Sequence, residues 1–495
     1  MQIESYRTRL EEFEQTINRE MYLFRSGLKE RLEIVTLYSD YSDLFCGESI
    51  REIESELKRE SFESRRKSLE KILLYLTDQC LELRAAPLNE EISNFQARQT
   101  LQWEGRQIPV FQVPGYLRTE SDARKRRTLS EKHQKTMGET EDLGRRYFAQ
   151  LRAAAADLGF RSYREARERI GGIQYEKVLS AFDEALDRLE DKYLERLRAS
   201  LEMTLGIPFA GVGDWDVAHW EEKNDQPVVF PAENLVEVVE STISGLGIRP
   251  EASGAVSLDL ENRFRKQPGA FCIPVRIPHD IKIVMTPGSG SRHYAALLHE
   301  CGHAYSFAWA SPSLPPEHRL LGERAVSESY AFLLENFLEE PEWLASALHF
   351  MKSGNFLRFR AVYKVFLIRR CAGRLRVAVN LDGSDSFDDA PHIYSETMKR
   401  YTGLQHQPGS WQADFSDPFA AADHLRGWAL EAMLREYLRT KYGNSWSGNR
   451  SASGFLKEIW ETGLLYRADE LCREIGIGDL DPQVLADKLW EGLKY

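Results

Sequence analysis

Two histidines four residues apart constrain this chain more than any other feature. They stand in the run His299-Glu300-Cys301-Gly302-His303, inside the amphipathic stretch Tyr294 to Tyr305. On a helix, residues four apart lie on one face, one turn above each other. Both imidazoles can then reach one Zn²⁺ at about 2.0–2.1 Å. Glu300 sits one step round the helix. It cannot share the ligand line, but it can reach a water held by the metal, which is the place of a general base. Cys301 points away from that line and is assigned to packing. Histidines satisfied in a core or left on a surface can share this spacing, so a third ligand has to be found elsewhere.

The next helical stretch offers one. Ala325 to Phe337 is apolar except at a few positions, and Glu328 interrupts its apolar face. A carboxylate there needs a cation or a metal. Glu328 lies 25 residues beyond His303. That leaves room for the first helix to end, turn through Pro312 to Pro316 and return antiparallel. Glu335, two turns further on, can hydrogen-bond a ligand histidine or pair with an arginine. Glu323 is the fallback ligand.

Upstream, Ala270 to Val275 and Ile281 to Met285 read as two antiparallel strands joined through Pro278-His279-Asp280. Pro274, which has no N–H, puts the first of them at a sheet edge. The loop Pro287-Gly288-Ser289-Gly290-Ser291 lacks the Gly-Lys-Ser/Thr of a phosphate-binding loop. Residues 1 to about 200 read as almost wholly helical, with Leu10, Phe13, Ile17, Met21 and Phe24 on one face. A hairpin turning at Gly105 interrupts them. The stretch Gly206 to Pro231 is loop-rich and marks the boundary between a helical part, 1–205, and a catalytic part, 206–495.

Composition removes other functions. The net charge of −12 disfavours nucleic acid and anionic membranes as partners. No apolar run is long enough to span a bilayer, and none at the start resembles a secretory signal. Six scattered cysteines without a CxxC read as reduced thiols, hence a cytoplasmic setting.

With these residues in view, the sequence resembles the zinc oligopeptidases of the oligoendopeptidase F and thimet oligopeptidase type. The resemblance rests on His299-Glu300-Cys301-Gly302-His303-Ala304 and on Glu328 with Leu334-Glu335-Asn336 after it. Pro268-Gly269-Ala270-Phe271-Cys272, Phe455 to Gly463 and Ala468 to Leu471 add to it. It covers roughly residues 265 to 490. It implies a mainly α, multi-helix zincin-like fold with a deep substrate channel and a small antiparallel β-sheet beside the active-site helix. An extended peptide would add to a strand such as Ile281 to Met285. The family also carries tyrosines, and commonly a histidine, on a later helix that stabilise the oxyanion. Here the corresponding stretch, Asp417 to Trp428, has no tyrosine. His424 and Arg426 stand near those positions; otherwise they are a core histidine and a salt-bridged arginine. Tyr401 is a remote candidate, and His293, where the family often has an acidic residue, is read as structural.

The expectation is a zinc metallopeptidase acting on short peptides. One Zn²⁺ per chain is held by His299, His303 and Glu328, with Glu300 as general base and His424 and Arg426 as oxyanion donors. The alternatives are a metallocarboxypeptidase with the same triad and a catalytically inactive zinc-containing peptide-binding protein. The oligomeric state is left open.

Overall fold

The computed structural model describes residues 3–248, 254–384, 386–414 and 417–494. The chain is mainly α-helical, with two small sheets. Six helices and five strands suffice to place the site. Helix α1 (Ile3–Arg25) buries Tyr6, Leu10 and Phe13 against α2 (Glu63–Arg98), where Leu69, Ile72 and Leu76 form the matching stripe. Strands β1 (Thr100–Trp103) and β2 (Arg106–Pro109) form the hairpin expected at Gly105. Glu104 and Gly105 both have positive φ, as a two-residue turn matched to strand twist requires.

The second sheet consists of β3 (Val256–Asp259), β4 (Ala270–Arg276) and β5 (Asp280–Met285). The order is β3-β5-β4, with β4 antiparallel and β3 parallel to β5. The anticipated antiparallel pair is present, and Pro274 lies on an edge strand. The parallel β3 is an addition that the sequence reading missed. It corrects one expectation: Ile281 to Met285 is the central strand, paired on both sides, so it cannot accept a peptide. The sheet's edges belong to β3 and β4, and β4 is the one that carries Pro274.

Which groups that edge offers follows from Pro274. Its carbonyl accepts from Asn18 Nδ2 at 3.2 Å, so it faces away from β5. By the period of two, Ala270 and Cys272 turn their N–H and C=O outward as well. Helix α1 lies along β4, with Arg25 stacked 5.2 Å over Phe271.

The catalytic helices are α3 (Ser291–Trp309), α4 (Arg324–Glu335), α5 (Gly354–Asp382) and α6 (Ala420–Tyr442). On α3, Tyr294, Leu297, Leu298, Cys301 and Ala304 are buried, an i, i+3, i+4 stripe. The glycine loop before it serves the helix start. Asp225 Oδ1 accepts from Ser291 Oγ and from the Arg292 N–H, both at 2.8 Å. It caps α3 from outside the local sequence, and a Cβ on Gly290 would overlap its carboxylate. Two apolar clusters meet around these helices. One joins α3 and α4 to β5. The other joins Leu179, Phe182 and Leu197 to Phe366, Ile368 and Leu375 of α5, so packing runs across residue 205. The stretch 206–231 contains a short helix, Val217–Lys223, between turns. Among the described residues no helix is long and apolar enough to cross a membrane.

Candidate metal centre

Helix α3 crosses α4 at Gly302. A Cβ there would overlap the Ala331 Cα and the Tyr330 carbonyl. Helix α6 approaches α4 at Gly427, where a Cβ would lie 2.6 Å from Glu328 Cβ. Small residues at both crossings let three backbones converge, and the polar side chains facing inward meet. His299 Nε2 lies 3.6 Å from Glu328 Oε2, and His303 Nε2 lies 3.8 Å from Glu328 Oε1. One ligand atom from each of the three falls within 4.8 Å of the other two.

The backs of the imidazoles are fixed. His299 Nδ1 is 3.1 Å from Glu335 Oε2, and His303 Nδ1 is 2.6 Å from Ser327 Oγ. The sequence allows Glu335 two partners, a ligand histidine or an arginine. Glu335 takes both, because Arg360 on α5 approaches its other oxygen at 3.3 Å. Beside Arg360, Lys364 binds Asn336 Oδ1 at 2.7 Å and Glu339 at 3.1 Å. Ser327, Arg360 and Lys364 had no motif to announce them. Ser327 is legible only once Glu328 is placed, and α5 only once the helices are packed.

The charges follow from these contacts. Burial alone would lower His299, but the bond to Glu335, with Glu300 and Glu328 near, carries it up to about 9. Burial would raise Glu335, but its bond to His299 together with the charges of His299, Arg360 and Lys364 holds it down at about 2. Burial pushes His303 down to about 4. Burial would raise Glu328, but His303, His424 and His299 keep it below its ordinary range. Burial raises the Glu300 carboxyl; His299 and the Cys272 main chain oppose the rise. Glu300 therefore faces the outward groups of the β4 edge.

The two oxyanion candidates separate. His424 joins the centre: its Nε2 is 3.7 Å from Glu328 Oε1, and its Nδ1 is 2.9 Å from the Ala420 carbonyl. Phe332 packs between this side and His299, 5.1 Å from the His299 ring and stacked 4.6 Å on Trp428. Arg426 is not brought to the triad. Its Nε binds Glu323 Oε1 at 2.5 Å and its Nη2 binds Asp469 Oδ2 at 2.6 Å, and it is 8% exposed. Glu323, the fallback ligand, is committed to that pair. Tyr401 donates to Asp183, away from the site. His293 stands on α3 against Gly288, and burial lowers it to about 4.

This arrangement can be set beside solved structures. A Bacillus anthracis str. Ames chain assigned as oligoendopeptidase F matches with a TM-score of 0.65 at 14% identity, covering 96% of this chain and 85% of that one. A second chain assigned as oligoendopeptidase F matches at 0.68 and 13%, covering 96% and 85%. A PZ peptidase A solved with an inhibitor matches at 0.66 and 15%, covering 96% and 86%. The chain has the oligoendopeptidase F fold. That fold covers the N-terminal helical half as well, which the sequence resemblance did not reach. No family model matches the sequence, and no curated protein does.

Proposed function

We propose that this protein is a zinc-dependent oligopeptidase hydrolysing short peptides. The observation that carries the reading is the convergence of His299, His303 and Glu328 within 4.8 Å, beside the open edge of β4. The donor set fits the metal. Two imidazole nitrogens and a carboxylate oxygen leave a fourth position open, as hydrolytic zinc sites do. Glu335 and Ser327 occupy the Nδ1 atoms, so both Nε2 atoms face Glu328. Glu328 Oε2 is a buried acceptor without a hydrogen-bond donor among the described residues, and a cation would satisfy it. When bound, zinc would supply Lewis acidity to a water and to the scissile carbonyl.

The remaining work falls to the chain's own groups. Glu300 takes a proton from the attacking water and returns it to the leaving amine; a carboxyl raised by burial suits both directions. The outward Ala270 N–H and the outward carbonyls of Ala270 and Cys272 hold the peptide main chain, the Cys272 N–H being engaged by Glu300, and main-chain contacts ask little of the peptide's side chains. His424 gives Nδ1–H to Ala420, so its Nε2 donates to an oxyanion only as the imidazolium. The carboxypeptidase reading needs a cation for the terminal carboxylate, and its candidate, Arg426, is paired with Glu323 and Asp469, which favours the oligopeptidase. Intact Glu300 opposes the inactive binding protein. We place the enzyme in the cytoplasm, where six free thiols stay reduced.

Incubating zinc-loaded protein with a peptide mixture and reading products by mass spectrometry tests this. Internal cleavage that chelation abolishes, zinc restores and C-terminal amidation tolerates is the expected result. Peptides recovered intact from fully loaded protein would sink the proposal.

A further inference from the structure

A cavity of about 770 Å³ lies at the head of α3. We infer that it is the subsite for a bulky apolar side chain on the substrate residues that follow the scissile bond. The inference rests on the oligopeptidase reading and gives it a direction and a preference.

Position comes first. Ala296 lines the cavity and lies one turn before Glu300 on the same face of α3. Ala270 also lines it and lies one pleat before Cys272, whose main chain faces Glu300. The cavity therefore adjoins the reacting bond. Direction comes second. A peptide adding antiparallel to β4, the commoner and more stable pairing, runs against the course from Ala270 to Arg276. Its amino-terminal residues approach Pro274 and Asn18. Its carboxy-terminal residues pass Ala270 and enter the cavity.

Chemistry comes third. Phe111, Phe264 and Met285 contribute to the walls. Phe264 is 76% exposed, yet the loop that presents it is pinned. Lys266 Nζ, nearly fully buried, donates to the carbonyls of Asp259, Glu261 and Met285 at 2.7–2.9 Å and to Asp259 Oδ1 at 3.1 Å. Arg263 reaches the Ser26 carbonyl at 3.0 Å, and the Gln267 N–H reaches the Arg25 carbonyl at 2.9 Å. Gly27 touches the same loop so closely that a Cβ would lie 2.6 Å from Lys266 N. The anchored loop holds the phenyl ring at the cavity wall, where an apolar side chain in the cavity would cover it. The cations around the cavity are engaged: Arg118 with Glu221 at 2.7 Å, Arg292 with Asp225 at 3.2 Å and Arg263 with Asp259 at 2.9 Å. Each of these cations already has a carboxylate beside it, and an apolar side chain leaves those ion pairs as they are.

The test uses zinc-loaded full-length protein and peptides differing only in the residue after the cleaved bond: Phe, Leu, Ala or Asp. Mass spectrometry locates the bond, and fluorescence anisotropy measures binding of labelled copies to the Glu300→Gln protein. Phe and Leu peptides should exceed the Ala peptide by about tenfold in kcat/KM and in affinity, the scale set by a few buried methylenes. Phe264→Ala should shrink that ratio through KM, and Ala296→Leu should do so by filling the cavity with the loop intact. Equal use of all four peptides, an equal loss on every peptide in Phe264→Ala, or binding lost on C-terminal amidation would overturn the inference. Discrimination in binding without turnover would keep the subsite and remove the peptidase reading. Turnover without discrimination would do the reverse.

Discussion

On one side of the cleft, α3, α4 and α6 pack closely at Gly302 and Gly427, and both histidines are gripped from behind. On the other side, β4 and the loop before it are held by hydrogen bonds, and an aromatic ring is left in solvent. The helical side is built for fixed geometry, since close-packed backbones have no second arrangement nearby. The strand side is built to complete itself with another chain, because its outward peptide groups lack strand partners. The two sides should therefore fail differently, and mutation can separate them.

The largest contrast is within the helical side. Glu300→Gln should cut turnover by about 10²–10⁴-fold, with metal content by elemental analysis unchanged. Loss of metal together with turnover would mean that Glu300 holds the site rather than works in it. Gly302→Ala comes next. Its methyl has to push α3 from α4, which should cost about 1–3 kcal/mol of stability in urea titrations and weaken metal retention with it. Stability left unchanged would show that the crossing has slack. Glu335→Gln is milder: it keeps the shape and removes the charge that orients His299. Zinc affinity, measured by competition with a chelator, should fall by about 10–100-fold with the fold intact.

Legibility in the sequence divides along the same line. His299, Glu300 and His303 are legible because a helix converts a spacing in sequence into a spacing in space. Glu328 and Glu335 are legible because a carboxylate on an apolar face needs a reason. Arg360 is not, since only packing of α5 tells which buried arginine meets Glu335. Arg426 shows the converse. Its place in the sequence suited an oxyanion donor, but Glu323 and Asp469, distant along the chain, claim it. On the strand side even the identity of the free edge was hidden. The four residues of β3 carry no alternation long enough to read, and their parallel partner lies 25 positions on. Without β3, β5 passes for an edge. Pro274 is the one local mark that β4 lies at an edge.

The smallest effect expected is on the strand side, at Asn18. Its amide donates to the Pro274 carbonyl at 3.2 Å and so ends the usable edge at Cys272. Pro274 has no N–H, so removing Asn18 frees a single acceptor. One net hydrogen bond is worth about 0.5–1.5 kcal/mol. Asn18→Ala should therefore leave the melting temperature nearly unchanged. It should also lower KM by about twofold to tenfold, and only for peptides long enough on the amino side to reach Pro274. Shorter peptides should not respond. A peptide running parallel to β4 would reach Pro274 with its carboxy-terminal residues instead, and the length dependence would move to that end. The same series thus checks the direction of binding independently of the cavity, through main-chain contacts alone.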